Sequence, residues 1–158
     1  MPTPDDSLRR VQRTLDAAWA ELRESYAGLP DDRLIEPGVI ENWSVKDILA
    51  HVTTWEEETL KYLPVIAAGG RPPKYITVGG IDAFNERTSA AKRELSLNEV
   101  LRQLDETHRR LLEYVEQAKP QLLAGETRFR RRLRVDTYAH YREHAKAIAE
   151  WRRRTGSG

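Results

Sequence analysis

A chain of 158 residues has the length of one domain and can bury a single core. Hydrophobic residues make up 39% and charged residues 32%, which suits a helix-rich globule and excludes a disordered chain. The net charge of +1 and the absence of cysteine exclude general steering toward polyanions, disulfides, thiolate metal sites and a cysteine nucleophile. Any metal must therefore be held by His, Asp or Glu. No apolar run approaches the ~20 residues that span a bilayer, and Met-Pro-Thr-Pro-Asp-Asp lacks the basic and apolar regions of a secretion signal. A cytoplasmic, single-domain protein over 1–158 is expected.

Leu8, Val11, Leu15, Trp19, Leu22 and Tyr26 recur at spacings of three and four, which predicts a first helix starting near Asp6 or Ser7 and ended by Gly28 and Pro30. After a connecting segment over 29–43, Ser44 and Asp47 form a capping-box pair. A second helix follows to about Ala67, with Ile48, His51, Val52, Trp55, Tyr62, Leu63 and Ile66 on its inner stripe. Residues 69–80 read as a loop and Ile81 to about Glu94 as a shorter helix. Ser96 caps the third long helix, with Glu99 completing its box and Val100, Leu104, Leu111 and Val115 facing inward. Pro120 and Gly125 break the chain again. A last helix is expected from Asp136, a residue suited to accept backbone N–H groups at a helix start. Its stripe is His140, Tyr141, His144, Ala147, Ile148 and Trp151. With no strand and no repeat in evidence, the pattern predicts an all-α four-helix bundle with a crossover connection and one additional short helix.

Four histidines occur, and three fall on predicted inner stripes. His140 and His144, four residues apart, share a helix face within reach of one ion. If the second and last helices are neighbours, His51 joins them and leaves coordination positions open for water or substrate. Three imidazoles buried together without partners would cost roughly 1–3 kcal/mol per unsatisfied group, and a divalent ion relieves that cost. An all-histidine set favours Zn²⁺, Ni²⁺, Cu²⁺ or Fe²⁺ over Mg²⁺ or Ca²⁺. The simpler alternative is a set of satisfied core histidines. His108, flanked by Thr107 and Arg109, is expected at the surface.

Two stretches carry a family resemblance. Asn42-Trp43-Ser44-Val45-Lys46-Asp47-Ile48-Leu49-Ala50-His51, followed by Trp55-Glu56, is similar to the second-helix motif of the DinB superfamily. Asp136-Thr137-Tyr138-Ala139-His140-Tyr141-Arg142-Glu143-His144, followed by Ile148 and Trp151, is similar to its last-helix motif. The branch most resembled is ClbS/DfsB. The resemblance implies a DinB-like bundle, often a homodimer, in which His51, His140 and His144 are metal ligands for a divalent transition metal (Zn, Ni or Fe). It also implies one of two activities. One is metal-dependent hydrolysis or thiol (S-) transfer on a small electrophile, with a low-molecular-weight thiol as co-reactant. The other is protection from electrophilic natural products by a non-catalytic binding or sequestering protein, in one form DNA-associated.

Glu58 is a candidate general base, being two turns beyond His51, and Asp47 reads as a cap. Trp43, Trp55, Tyr138 and Tyr141 flank the histidines and are candidates for a pocket lining, although tryptophan at helical spacing is more often core. Tyr138 and Tyr141, three apart around His140, are not expected to face fully inward together. The run Arg128-Phe129-Arg130-Arg131-Arg132-Leu133-Arg134 reads first as a solvated loop or short extended segment. Its second reading is a site for a substrate anion, and its third a nucleic-acid contact. No phosphate loop, nucleotide fingerprint or serine triad is present.

Overall fold

The computed structural model describes residues 2–156. Four long helices carry the fold: α1 (Pro4–Tyr26), α3 (Val45–Ala67), α5 (Leu97–Gln117) and α7 (Tyr138–Arg154). Three shorter ones stand between them: α2 (Asp31–Leu34), α4 (Ile81–Lys92) and α6 (Arg128–Asp136), with 3-10 turns at Tyr75–Val78 and Pro120–Leu123. Among the described residues there is no strand and no helix long and apolar enough to cross a membrane.

Local chemistry sets most of the boundaries. Thr3 and Asp6 exchange side-chain and backbone bonds in a capping box, so α1 begins at Pro4, two residues before the expected start. Pro at that position lacks only an N–H that would have been orphaned. Ser44 and Asp47 form the expected reciprocal box at the head of α3. Ser96 caps α5 by accepting from Glu99 N, but the Glu99 carboxylate pairs with Arg102 at 2.8 Å and does not close the box. Gly79 and Gly80, at φ 94° and 97°, make the left-handed turn from the 3-10 segment into α4 that a side chain would strain.

The core is filled by one apolar stripe from each long helix, including Leu15 and Leu22, Ile48 and Leu63, Leu104 and Leu111, and Ile148 and Trp151. α1 packs most extensively on α7 and α3 on α5, while α1–α5 and α3–α7 approach each other only locally. Helices consecutive in the chain, α1 and α3 and then α5 and α7, are therefore not the main packing partners, which is the crossover. Where α3 and α7 approach each other, the histidines of the two helices meet.

The arginine run is helical, not a loop. Thr127 caps α6 by accepting from Arg130 N, and Phe129 and Leu133, four apart, are buried while the arginines ring the other faces. The last helix correspondingly starts at Tyr138. Asp136 closes α6, and the chain breaks at Thr137 (φ −123°, ψ −93°). The Asp136 carboxylate takes the guanidinium of Arg132 and the hydroxyl of Thr59, so it caps nothing.

Candidate metal centre and its cavity

His51 lies in the second turn of α3; His140 and His144 occupy successive turns of α7. Nε2 of His140 is 3.0 Å from Nε2 of His51 and 2.9 Å from Nε2 of His144. The donor atoms of all three lie within 4.8 Å of one another. The rings meet edge to face, with centroids 4.4–5.1 Å apart. Burial, reinforced for His51 and His140 by the neighbouring imidazoles, pushes the three pKa values down to about 3 for His51, about 2 for His140 and about 4 for His144. All three are therefore neutral near pH 7, the state in which a histidine is a ligand.

Hydrogen bonding alone does not satisfy this geometry. A neutral ring nitrogen carries one in-plane lone pair or one proton. His140 Nε2 can thus make one linear bond, yet two imidazole nitrogens face it at contact distance. The Nδ1 atoms of all three rings are buried and have no hydrogen-bond partner among the described residues. Nitrogens held about 2.0–2.1 Å from one ion at right or tetrahedral angles stand about 2.8–3.4 Å apart, and both short contacts fall in that span. These two contacts, with all three donors gathered at one point, fit a divalent transition ion shared by His51, His140 and His144.

The histidines form one end of a cavity of about 470 Å³ between α3, α4, α6 and the start of α7. Trp55 lines it, and its Nε1 donates to Asn85 Oδ1 at 2.9 Å. Tyr75 packs on both Trp55 and Phe84, with centroids 5.2 and 5.1 Å away. Arg132 donates to the Tyr75 hydroxyl at 2.6 Å, and that hydroxyl donates to Glu58 Oε1 at 2.9 Å. The Glu143 carboxylate side chain lines the same cavity.

The expected pocket residues separate on this geometry. Trp55 lines the cavity. Trp43 packs edge-on against His51, with centroids 4.9 Å apart, without lining it. Glu58 faces Tyr75 and a smaller neighbouring cavity and does not line the histidine cavity. Tyr138 and Tyr141 are both buried, contrary to expectation: Tyr138 meets Arg134 of α6, while Tyr141 lies against Trp19 and His108 in the bundle interior. Tyr141 points away from the cavity and donates to Glu56. His108 is buried and not at the surface, at 6% exposure, with Nδ1 2.7 Å from Glu56 Oε2. Its spacing of four from Leu104 was the signal; its polar neighbours pointed the other way. Tyr75 and Asn85 carried no sequence signal of their own, and Arg132 entered only as one member of the arginine run, because their meeting depends on how the 69–80 segment and α6 fold over α3.

The family model of the DinB superfamily matches residues 14–148. No curated protein matches the chain. Among solved structures, the chain is similar to the Sibling Lethal Factor precursor DfsB (TM-score 0.76, 17% identity, covering 96% of this chain and 98% of that one). It is also similar to the colibactin self-resistance protein ClbS in complex with a dsDNA (TM-score 0.73, 15% identity, 93% of each chain). A third similar structure is an uncharacterised protein from Escherichia coli UTI89 (TM-score 0.75, 15% identity, 98% of this chain and 95% of that one). At these identities the structural likenesses show a shared fold.

Proposed function

The chain belongs to the DinB superfamily, and on that premise we propose that it is a metal-dependent enzyme acting on a small electrophile, by hydrolysis or by transfer to a low-molecular-weight thiol. The observation that carries this reading is the convergence of three neutral imidazole nitrogens at one end of a cavity large enough for a small molecule. His51, His140 and His144 would hold the ion. A bound Zn, Ni or Fe ion supplies Lewis acidity and brings the pKa of a water or thiol toward neutrality.

The other side chains have separable tasks. Arg132 presents positive charge to the cavity, where negative charge on a reacting electrophile can be received. Its direction is fixed by Asp136 on one side and by the Tyr75 hydroxyl on the other. Burial raises the Tyr75 pKa above its ordinary value, so the phenol keeps its proton on Glu58 and accepts from Arg132. Glu58 is then a positioning residue acting through Tyr75. Glu143, on the cavity wall, is the carboxylate placed to accept a proton. Trp55 supplies a flat apolar wall that favours an unsaturated or ring-bearing substrate.

Elemental analysis of untagged protein beside a His51→Ala, His140→Ala, His144→Ala triple variant tests the site. About one transition ion per chain, lost in the variant, is the expected result. No ion in either sample and none on reconstitution would overturn it.

A second reading, a non-catalytic protective binder that meets DNA, draws on one specific observation. Arg128, Arg130, Arg131 and Arg134 lie along α6 at least partly exposed, and the similar ClbS structure contains a dsDNA. It expects duplex binding that weakens steeply with salt and protection that is stoichiometric. Turnover of any electrophile would exclude its non-catalytic form.

A further inference from the structure

A second, larger concavity of about 900 Å³ adjoins the histidine cavity, between the 3-10 turn at Tyr75–Val78, the start of α4, and α6. The two share Tyr75, Ile81, Arg132 and Val135 as lining residues. A molecule lying in the groove can therefore extend past Tyr75 and Arg132 to the histidines.

The groove has two chemically distinct parts. Its apolar part includes Ile76, Ile81 and Val135, which are 78%, 53% and 62% exposed. These are three of the six large apolar side chains exposed among the described residues. Half of the exposed bulky apolar side chains are thus gathered along one trough, which single scattered surface residues do not produce.

Its polar part is cationic. Lys74, Arg128 and Arg131 line it, and none of them pairs with a carboxylate among the described residues. Arg128 donates to the backbone carbonyl of Gly70 at 3.1 Å and Arg131 to that of Glu126 at 3.0 Å. The nearby Glu126 carboxylate is taken by both terminal nitrogens of Arg134, at 2.8 and 3.0 Å. The backbone contacts hold the two guanidinium groups in place with no carboxylate bonded directly to either among the described residues, although Arg131 lies within the field of Glu126. Asp82 is the one acid in the lining.

We infer that this groove is the binding site for an elongated small molecule with an apolar body and a carboxylate head. The head lies against Arg128 and Arg131, where a planar guanidinium can meet a carboxylate through two bonds. The body covers Ile76, Ile81 and Val135. The opposite end reaches the histidine cavity. The inference rests on the histidine cavity being the reacting end, but binding in the groove requires no metal.

Isothermal titration calorimetry with three probes of equal chain length tests it: decanoate, 1-decanol and decyltrimethylammonium, each below its aggregation concentration. Decanoate should bind saturably with one site per chain, and the neutral and cationic probes about tenfold more weakly or not at all. An Arg128→Ala, Arg131→Ala double variant should lose about tenfold in decanoate affinity. Val135→Asp, at a position 62% exposed, should abolish decanoate binding in a variant whose circular dichroism matches wild type. The triple histidine variant, altered only at the far end of the path, should still bind decanoate saturably with one site per chain. Absence of saturable binding, equal affinity for the three probes, or unchanged affinity in both groove variants would overturn the groove while leaving metal content, measured separately, to stand. Decanoate binding intact in a chain that takes up no metal would sustain the groove and sink the metal centre.

Discussion

Nδ1 of His108 lies 2.7 Å from Oε2 of Glu56, and both side chains are buried at the centre of the bundle. The same carboxylate oxygen accepts the Tyr141 hydroxyl. Trp19 stacks on the His108 ring at 3.5 Å and 4° and meets Tyr141 edge-on at 5.0 Å. One residue from each of α1, α3, α5 and α7 thus meets in a single polar knot. Glu56 is five residues beyond His51 and Tyr141 is next to His140, so the knot ties the two helices that carry the histidines.

Glu56→Ala should accordingly be one of the most destabilising single substitutions in the chain. It leaves two buried polar partners unmatched and opens a cavity, at about 1–3 kcal/mol for each unsatisfied group. A loss of about 2–5 kcal/mol in denaturant unfolding is expected. A loss below about 1 kcal/mol would mean that the knot contributes little.

The same carboxyl gives a pH signature. Burial pushes the Glu56 pKa above its ordinary 4.5, against the hydrogen bonds from His108 and Tyr141, which pull it down. The folded state therefore holds this proton more tightly than the unfolded chain. Its contribution is complete below about 4.5 and declines as the pH rises through the raised folded value. Glu56→Gln removes the titration. The stability difference, wild type minus variant, should be largest near about pH 4 and shrink toward neutrality. A difference that stays flat over that range contradicts the shift.

The four long helices were readable because their stripes repeat at three and four and because Ser44, Asp47 and Ser96 announce their starts. The histidine set was readable for the same reason, as the stripes of α3 and α7 include it. α6 was not, because five arginines in seven residues mask the one spacing that matters, Phe129 to Leu133. His108 was misread because its immediate neighbours are polar, although its helical neighbours Leu104 and Leu111 are buried. Tyr75 and Asn85 reach the cavity from segments with little apolar periodicity. Their positions depend on contacts with Trp55 that span 20 and 30 residues, which no local pattern encodes.

A bound ion should stabilise the fold by mass action. At a concentration one hundred times its dissociation constant the gain is about 2.7 kcal/mol, or about 5–10 °C in midpoint for a chain of this size. Differential scanning fluorimetry with Zn²⁺ or Ni²⁺ should show this rise in wild type and none in the triple histidine variant. Each of His51→Ala, His140→Ala and His144→Ala should lose most of it, since each removes one of the three ligand nitrogens. An equal rise in the triple variant would place the ion elsewhere.

The Tyr75 hydroxyl links Glu58 to Arg132, while its ring packs between Trp55 and Phe84. Tyr75→Phe removes the two hydrogen bonds and keeps the packing, whereas Tyr75→Ala removes both. Each net hydrogen bond contributes about 0.5–1.5 kcal/mol. Amides of the 70–80 segment should therefore exchange about fivefold faster or more in Tyr75→Phe, and faster still in Tyr75→Ala, while amides of α5 exchange at the wild-type rate. Arg132 keeps its bond to Asp136 in both variants but loses the contact that aims it into the cavity. Once a substrate is in hand, Tyr75→Phe should lower turnover more than it weakens binding. Wild-type exchange in Tyr75→Phe would mean that the ring alone holds the segment, and Glu58 would then have no path to the site.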